Sequence, residues 1–194
     1  VSRPAVFLDR DGTILDDTGY PSRFDQVRIL PASFEAVRRL NEAGFPVIIV
    51  TNQSGIGRGF LKEDELAVLH RELAAAFAAR GARLDAFYYC PHHSLASDPR
   101  YRVVCACRKP GPGLGLRAAA DHGLDLRRSF MVGDKEDDVN FGRAIGATPV
   151  LVLTGYGREA RRTLAEKAAL PDIVAADVGE AVDRILAEMS AAGS

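Results

Sequence analysis

Asp9 and Asp11 stand one residue apart at the end of an apolar run, Ala5-Val6-Phe7-Leu8. Carboxylates so placed can divide the work of breaking a phosphate ester. Asp9 can attack phosphorus as a nucleophile. Asp11 can give a proton to the leaving alkoxide, then take one from the water that resolves the intermediate. Gly12 lets the chain turn, and Thr13 is expected to hydrogen-bond the turn's backbone. An Asp-Gly turn alone merely ends a strand, but three further segments supply complementary groups. Thr51-Asn52-Gln53-Ser54-Gly55 follows a second apolar run, Val47 to Val50. It offers a hydroxyl and a small-residue turn whose backbone N–H groups suit an anion. Arg108 and Lys109 bring cations, Lys109 with Thr51 being suited to phosphoryl oxygens. Gly133-Asp134-Lys135 follows Phe130 to Val132, and Asp138 comes four residues after Asp134.

These groups call for a metal. Asp9, Asp11 and Asp134 bring about three negative charges, and a phosphate dianion adds about two, which repel strongly in a low-dielectric cleft. Asp9 and Asp134 are candidate ligands for Mg²⁺, a hard cation that prefers oxygen. Singly, each segment has a plain explanation: a turn, a solvated lysine, a helix cap. Their joint occurrence in this order, each at a strand end, points to one phosphoryl-transfer site.

A second constellation lies between the cation-bearing segment and the strand before it. Cys90-Pro91-His92-His93 precedes Cys105-Ala106-Cys107. Three thiols and one imidazole satisfy a closed tetrahedral zinc site with no open position, hence a structural one. From chemistry alone either His92 or His93 can be the fourth ligand; the plainer alternative is three buried thiols and two solvated histidines. Three clustered cysteines in a chain with no export signal favour metal over disulfides. Because Arg108 and Lys109 follow Cys107 directly, bound zinc would also fix the active-site cations.

The elements that must position these groups alternate. Strands are expected at residues 5–8, 47–50, 86–89, 130–132, 150–153 and 173–174. Helices are expected at 33–42, 62–80, 114–122, 136–145, 158–169 and 178–189, with fraying over 191–194. This order predicts an α/β fold: a three-layer, Rossmann-like parallel sheet with helices on both faces. The 194 residues read as a single domain with no linker, so any lid must come from loops 15–28, 52–60 and 90–112. The net charge of −1 gives no general attraction to nucleic acid or to an anionic membrane. No apolar run is long enough to span a bilayer, and no signal-peptide pattern opens the chain, so the cytoplasm is the expected compartment.

Asp9-Arg10-Asp11-Gly12-Thr13, Thr51-Asn52-Gln53, Lys109, and Gly133-Asp134 with Asp138 resemble the motifs of the haloacid dehalogenase superfamily of phosphatases, over nearly the whole chain. The resemblance implies a haloacid dehalogenase-like fold without a separate cap domain. It also implies an aspartyl-phosphate at Asp9, acid/base catalysis by Asp11, and Mg²⁺ held by Asp9, Asp134 and the backbone carbonyl of Asp11. Cys-Pro-His-His followed by Cys-x-Cys-Arg-Lys-Pro-x-Pro-Gly is similar to the D-glycero-D-manno-heptose 1,7-bisphosphate 7-phosphatases. That narrower resemblance implies zinc on Cys90, His92, Cys105 and Cys107 in a loop spanning 90–107, and substrate recognition by Arg108. It further implies substrate contacts from Asp17-Thr18-Gly19-Tyr20, from Asn52, Gln53 and Ser54 beside Thr51, and from Lys135. The expected function is hydrolysis of the 7-phosphate of a sugar bisphosphate by a monomer, in the supply of nucleotide-activated heptose for lipopolysaccharide or related surface glycans. The alternatives are a histidinol-phosphate phosphatase, whose zinc loop is typically shorter, and a zinc-stabilised binding module without catalysis.

Overall fold

A computed structural model describes residues 2–192. Six parallel strands form one sheet: β1 (Val6–Leu8), β2 (Val47–Asn52), β3 (Ala86–Cys90), β4 (Phe130–Gly133), β5 (Thr148–Val152) and β6 (Ile173–Ala175). Their spatial order is β3-β2-β1-β4-β5-β6. The helices are α1 (Ser33–Glu42), α2 (Ser54–Gly57), α3 (Glu63–Ala78), α4 (Gly113–His122), α5 (Glu136–Ile145), α6 (Gly157–Glu166) and α7 (Val178–Ala192).

Successive residues of a strand face opposite sides, so a strand covered on both faces must be apolar throughout. In β1, Val6 and Leu8 join Val47, Ile49 and Val132 beneath α1, α3 and α7, through Val37, Leu40, Phe77, Val182 and Ile185. Phe7 points the other way, joining Ile48, Val50 and Met131 beneath α4 and α5, through Leu114, Ala118, Phe141 and Ile145. α6 packs on α5 through Val139, Ala160 and Leu164. The expected three layers are therefore formed.

The differences from expectation are local. Residues 52–60 contain the short helix α2, whose Ile56 packs with Leu61 and Leu66. The 90–112 segment carries a 3-10 turn at Pro99–Tyr101, capped by Asp98, whose side chain accepts from the backbone N–H of Arg100. α6 stops at Glu166, three residues before the expected end, and Ala168 beyond it takes a positive φ of 51°. α7 continues through Ala191 and Ala192, where fraying was expected; the rest of that expectation lies outside the described residues. No described helix is long and apolar enough to cross a membrane.

The strand order reverses between β1 and β4. β2 and β3 lie to one side of that pair, β5 and β6 to the other. Loops leaving the carboxyl ends of such a pair diverge and open a crevice. Asp9 follows β1 and Asp134 follows β4, so both stand at this crevice.

Candidate active site

Register places the two aspartates side by side. Leu8 is aligned with Val132, and the Asp9 N–H donates to the Val132 carbonyl at 2.9 Å. Gly12, at φ +86°, then turns the chain across the end of β4. A Cβ there would lie 2.1 Å from Asp134 Oδ2, so the close approach of the two loops requires glycine. The Thr13 expectation fails. Its hydroxyl is buried and has no partner, because the turn's N–H groups are already used: Gly12 donates to Leu15 O, and both Ile14 and Leu15 donate to Arg10 O.

Lys109 is the electrostatic centre. It is buried, and its Nζ reaches Asp9 Oδ1 at 2.7 Å, Asp138 Oδ1 at 2.6 Å and the Val50 carbonyl at 2.8 Å. Those three acceptors use all three ammonium donors. Burial opposes the charge, but Asp138 and Asp9 together hold the Lys109 pKa above its ordinary value. Sequence pattern alone gives Asp138 no role, and this contact supplies one. The signal was present: an acidic residue three positions beyond Lys135, at the start of α5, whose side chain also accepts from the Lys135 N–H.

Asp9, Asp134 and Asp138 bring carboxylate oxygens within 4.8 Å of one another. The cluster holds both side chains expected to bind Mg²⁺, Asp9 and Asp134, and adds Asp138; from Asp11 the expected ligand is the backbone carbonyl. The Asp11 carboxylate forms a fork with its neighbour: Arg10 Nη2 and Nε donate to it at 2.9 and 3.0 Å. Against the clustered carboxylates stand Lys109 and, at the edge of the cluster, Lys135, so the three carboxylates still outnumber the cations. Burial, then Asp9 and Asp138, push the Asp134 carboxyl up to about 8. Burial and Asp9, opposed by Lys109, raise Asp138 to about 6. Asp134 Oδ2 accepts from the Tyr156 N–H at 2.8 Å, whereas the buried Oδ1 has no hydrogen-bond partner. An orphaned carboxylate oxygen in an over-acidic cluster suits a hard divalent cation.

The expected substrate residues divide. Asn52 clamps the main chain of Lys109, accepting from its N–H at 3.0 Å and donating to its carbonyl at 3.1 Å. Gln53 Nε2 donates to Asp11 and to the Thr51 hydroxyl, both at 2.8 Å. Both side chains thus brace the catalytic candidates. Asp9, Asp11, Thr51, Asn52, Lys109, Lys135, Asp137 and Asp138 line one small cleft. Lys135 leans toward Asp17 at 3.3 Å and stands over the Tyr156 ring. Thr18 and Gly19 form an exposed turn, and Ser54 opens α2. Tyr20 stacks on Phe60 at 5.0 Å, and its hydroxyl accepts from Arg58 at 2.9 Å, joining the 15–28 and 52–60 loops. Thr18, Gly19, Tyr20, Ser54 and Arg108 stand outside the cleft lining.

The sulfur cluster is assembled beside this cleft. Cys107 Sγ lies 3.2 Å from Cys90 Sγ, Cys105 Sγ and His92 Nδ1, and Cys90 lies 3.6 Å from Cys105 and His92. Ligands about 2.3 Å from a tetrahedral zinc would stand about 3.8 Å apart. The cluster therefore fits the ion after a small expansion. His93 is turned elsewhere, accepting from the Leu95 N–H. Arg108 donates to the His92 carbonyl at 3.1 Å, tying the cation to the ligand loop.

Comparison with known proteins follows the same lines. The Hydrolase_like family model (HAD-hydrolase-like) matches residues 106–181. Over 97% of its length the chain is 40% identical to the D-glycero-D-manno-heptose-1,7-bisphosphate 7-phosphatase of Thermosynechococcus vestitus, covering 98% of that protein. It is 44% identical to the D-glycero-beta-D-manno-heptose-1,7-bisphosphate 7-phosphatase of Escherichia coli K12, over 79% of this chain and 81% of that one. Among solved structures, the D,D-heptose 1,7-bisphosphate phosphatase of B. bronchiseptica, complexed with magnesium and phosphate, superposes with a TM-score of 0.82. Its identity is 33%, over 95% of this chain and 99% of that one.

Proposed function

The chain belongs to the D-glycero-D-manno-heptose-1,7-bisphosphate 7-phosphatase family of HAD-like hydrolases, and from that membership we propose that it removes the 7-phosphate of a heptose 1,7-bisphosphate by way of an aspartyl-phosphate. The observation that carries the reading is Lys109 bound to both Asp9 and Asp138 at a crevice that also holds Asp134.

Asp9 attacks phosphorus through its carboxylate. Thr51 and Lys109 hold the equatorial oxygens as charge spreads over them. Asp11 protonates the departing sugar oxygen. It then deprotonates the water that cleaves the acyl phosphate and restores Asp9. Asp9, Asp134 and the backbone carbonyl of Asp11 would hold Mg²⁺, which when bound neutralises the carboxylate cluster and the phosphoryl charge. Arg108 holds a remote anionic part of the substrate, and its tether to His92 makes that contact depend on a zinc-ordered loop. The reaction fits a step supplying nucleotide-activated heptose for lipopolysaccharide or a related surface glycan.

The decisive experiment compares heptose 1,7-bisphosphate with histidinol phosphate. A cationic amino-alcohol phosphate gains nothing from Arg108. The expected kcat/KM favours the bisphosphate by at least about tenfold, or about 1.4 kcal/mol, with the sugar 1-phosphate as product. Equal or better turnover of histidinol phosphate, or attack at the 1-phosphate, overturns the substrate assignment.

The acidic cluster yields a metal prediction with a definite sign. Asp134 and Asp138 bind protons more tightly folded than unfolded. The stability they give the metal-depleted protein is complete below the unfolded carboxylate value of about 4 and is lost as pH rises through about 6 to 8. The rise in Tm produced by adding Mg²⁺ to chelator-treated protein is therefore expected to grow across that window. A Mg²⁺ effect that is constant or shrinks with pH would count against a cation bound on Asp134 beside Asp138.

A further inference from the structure

Arg10 occupies a position the reaction as described does not use. It lies between the two catalytic aspartates, yet it is the largest fully buried side chain among the described residues. A buried guanidinium needs partners for its fixed fork of donors. One side of the fork goes to Asp11. On the other, Nη1 lies 3.2 Å from His70 Nε2. Arginine has no acceptor and keeps its proton, so His70 must receive this hydrogen bond. That fixes His70 as the neutral tautomer with its lone pair on Nε2.

His70 is itself held firmly. It projects from the middle of α3 and is buried. Its ring stacks on Phe87 at 4.5 Å with an interplanar angle of 22°, and meets Tyr89 edge-on at 6.2 Å. Burial and the Arg10 charge push its pKa down to about 3, so the acceptor persists across the ordinary working range. A relay runs from α3 through His70 and Arg10 to Asp11, whose other support is Gln53.

We propose that His70 is a positioning residue for the acid/base step: by accepting from Arg10 it fixes the guanidinium fork that aims the Asp11 carboxyl. This rests on the phosphatase reading of the site. His70 touches no reacting atom. Its effect should therefore concentrate where Asp11 must deliver a proton, on leaving groups too basic to depart without one.

The test measures kcat/KM for an alkyl phosphate and for p-nitrophenyl phosphate in wild type, His70→Phe and His70→Gln. kcat/KM covers the steps up to departure of the first product, so the later hydrolysis of the phosphoenzyme does not enter. The ratio of the two values cancels any difference in the fraction of folded enzyme. His70→Phe keeps the aromatic stack and removes the acceptor; it should lower the alkyl-to-aryl ratio at least about tenfold. His70→Gln, whose amide oxygen can accept from Arg10, should restore most of it. An unchanged ratio in His70→Phe, both substrates falling together, overturns the proposal and leaves a structural histidine. A lowered ratio that glutamine fails to restore also overturns it, because the acceptor would not be the cause. Absence of wild-type turnover of heptose 1,7-bisphosphate as well as of both esters would instead refute the phosphatase reading.

Discussion

Asp9→Asn is expected to cut phosphate release at least about 10⁴-fold, about 5.5 kcal/mol in the barrier, while making the metal-depleted protein more stable to heat. The two effects have one cause. Asp9 is the nucleophile, and its carboxylate is also one of three crowded together, two of them on Lys109. Asparagine has nearly the same shape but cannot form the acyl phosphate. It leaves Lys109 paired to Asp138 and relieves Asp134 of its largest charge repulsion. Stored strain of this kind is common where function and stability compete. The measurements are steady-state turnover and Tm in chelator, with beryllium fluoride trapping on wild type as a check on the modified residue. Substantial activity in the purified variant would remove Asp9 from the nucleophile role.

Cys107→Ser is expected to lose zinc and lower kcat/KM by about 10²-fold, with a much smaller effect on overall stability. Structural zinc binds with about 10–16 kcal/mol in peptides that have no other core. Here the sheet has its own core on both faces, and only the 90–112 segment depends on the ion. Cys107 touches all three other ligands, and Lys109 is two residues further on. Slack in the loop therefore moves the ammonium that Asp9 and Asp138 share. Elemental analysis and turnover on the same samples check the idea. A zinc-free wild type with full activity would refute the site; a zinc-free Cys107→Ser with full activity would refute the coupling.

The sheet was legible because its strands are buried on both faces and read as short apolar runs between helical periods. The catalytic candidates were legible because each follows such a run directly. What the sequence hid were partnerships across long separations. Besides the substrate contacts expected of them, Asn52 braces Lys109 across 57 residues and Gln53 braces Asp11 across 42. Arg10 meets His70 across 60, from an α3 position that pattern alone reads as core. Asp138 was visible as a motif member, but its place in the buried cluster follows from the fold. The choice between His92 and His93 needed backbone direction, which composition does not encode.

The pairing of β1 with β4 has a consequence for biosynthesis. Asp9 is made 100 residues before Lys109, and β4, the later-made of the two strands that flank β1, follows Lys109. Closing so wide a loop is entropically unfavourable until the sheet rewards it, so the central pairing should form late and slowly. A nascent chain that has emerged only through Lys109 holds the nucleophile and its lysine, but neither Asp134 nor Asp138. Hydrolytic competence should therefore arise in one event, when β4 slots in beside β1. The growing polypeptide passes through no half-assembled catalyst able to act on cellular phosphates before Asp134 and Asp138 have been made.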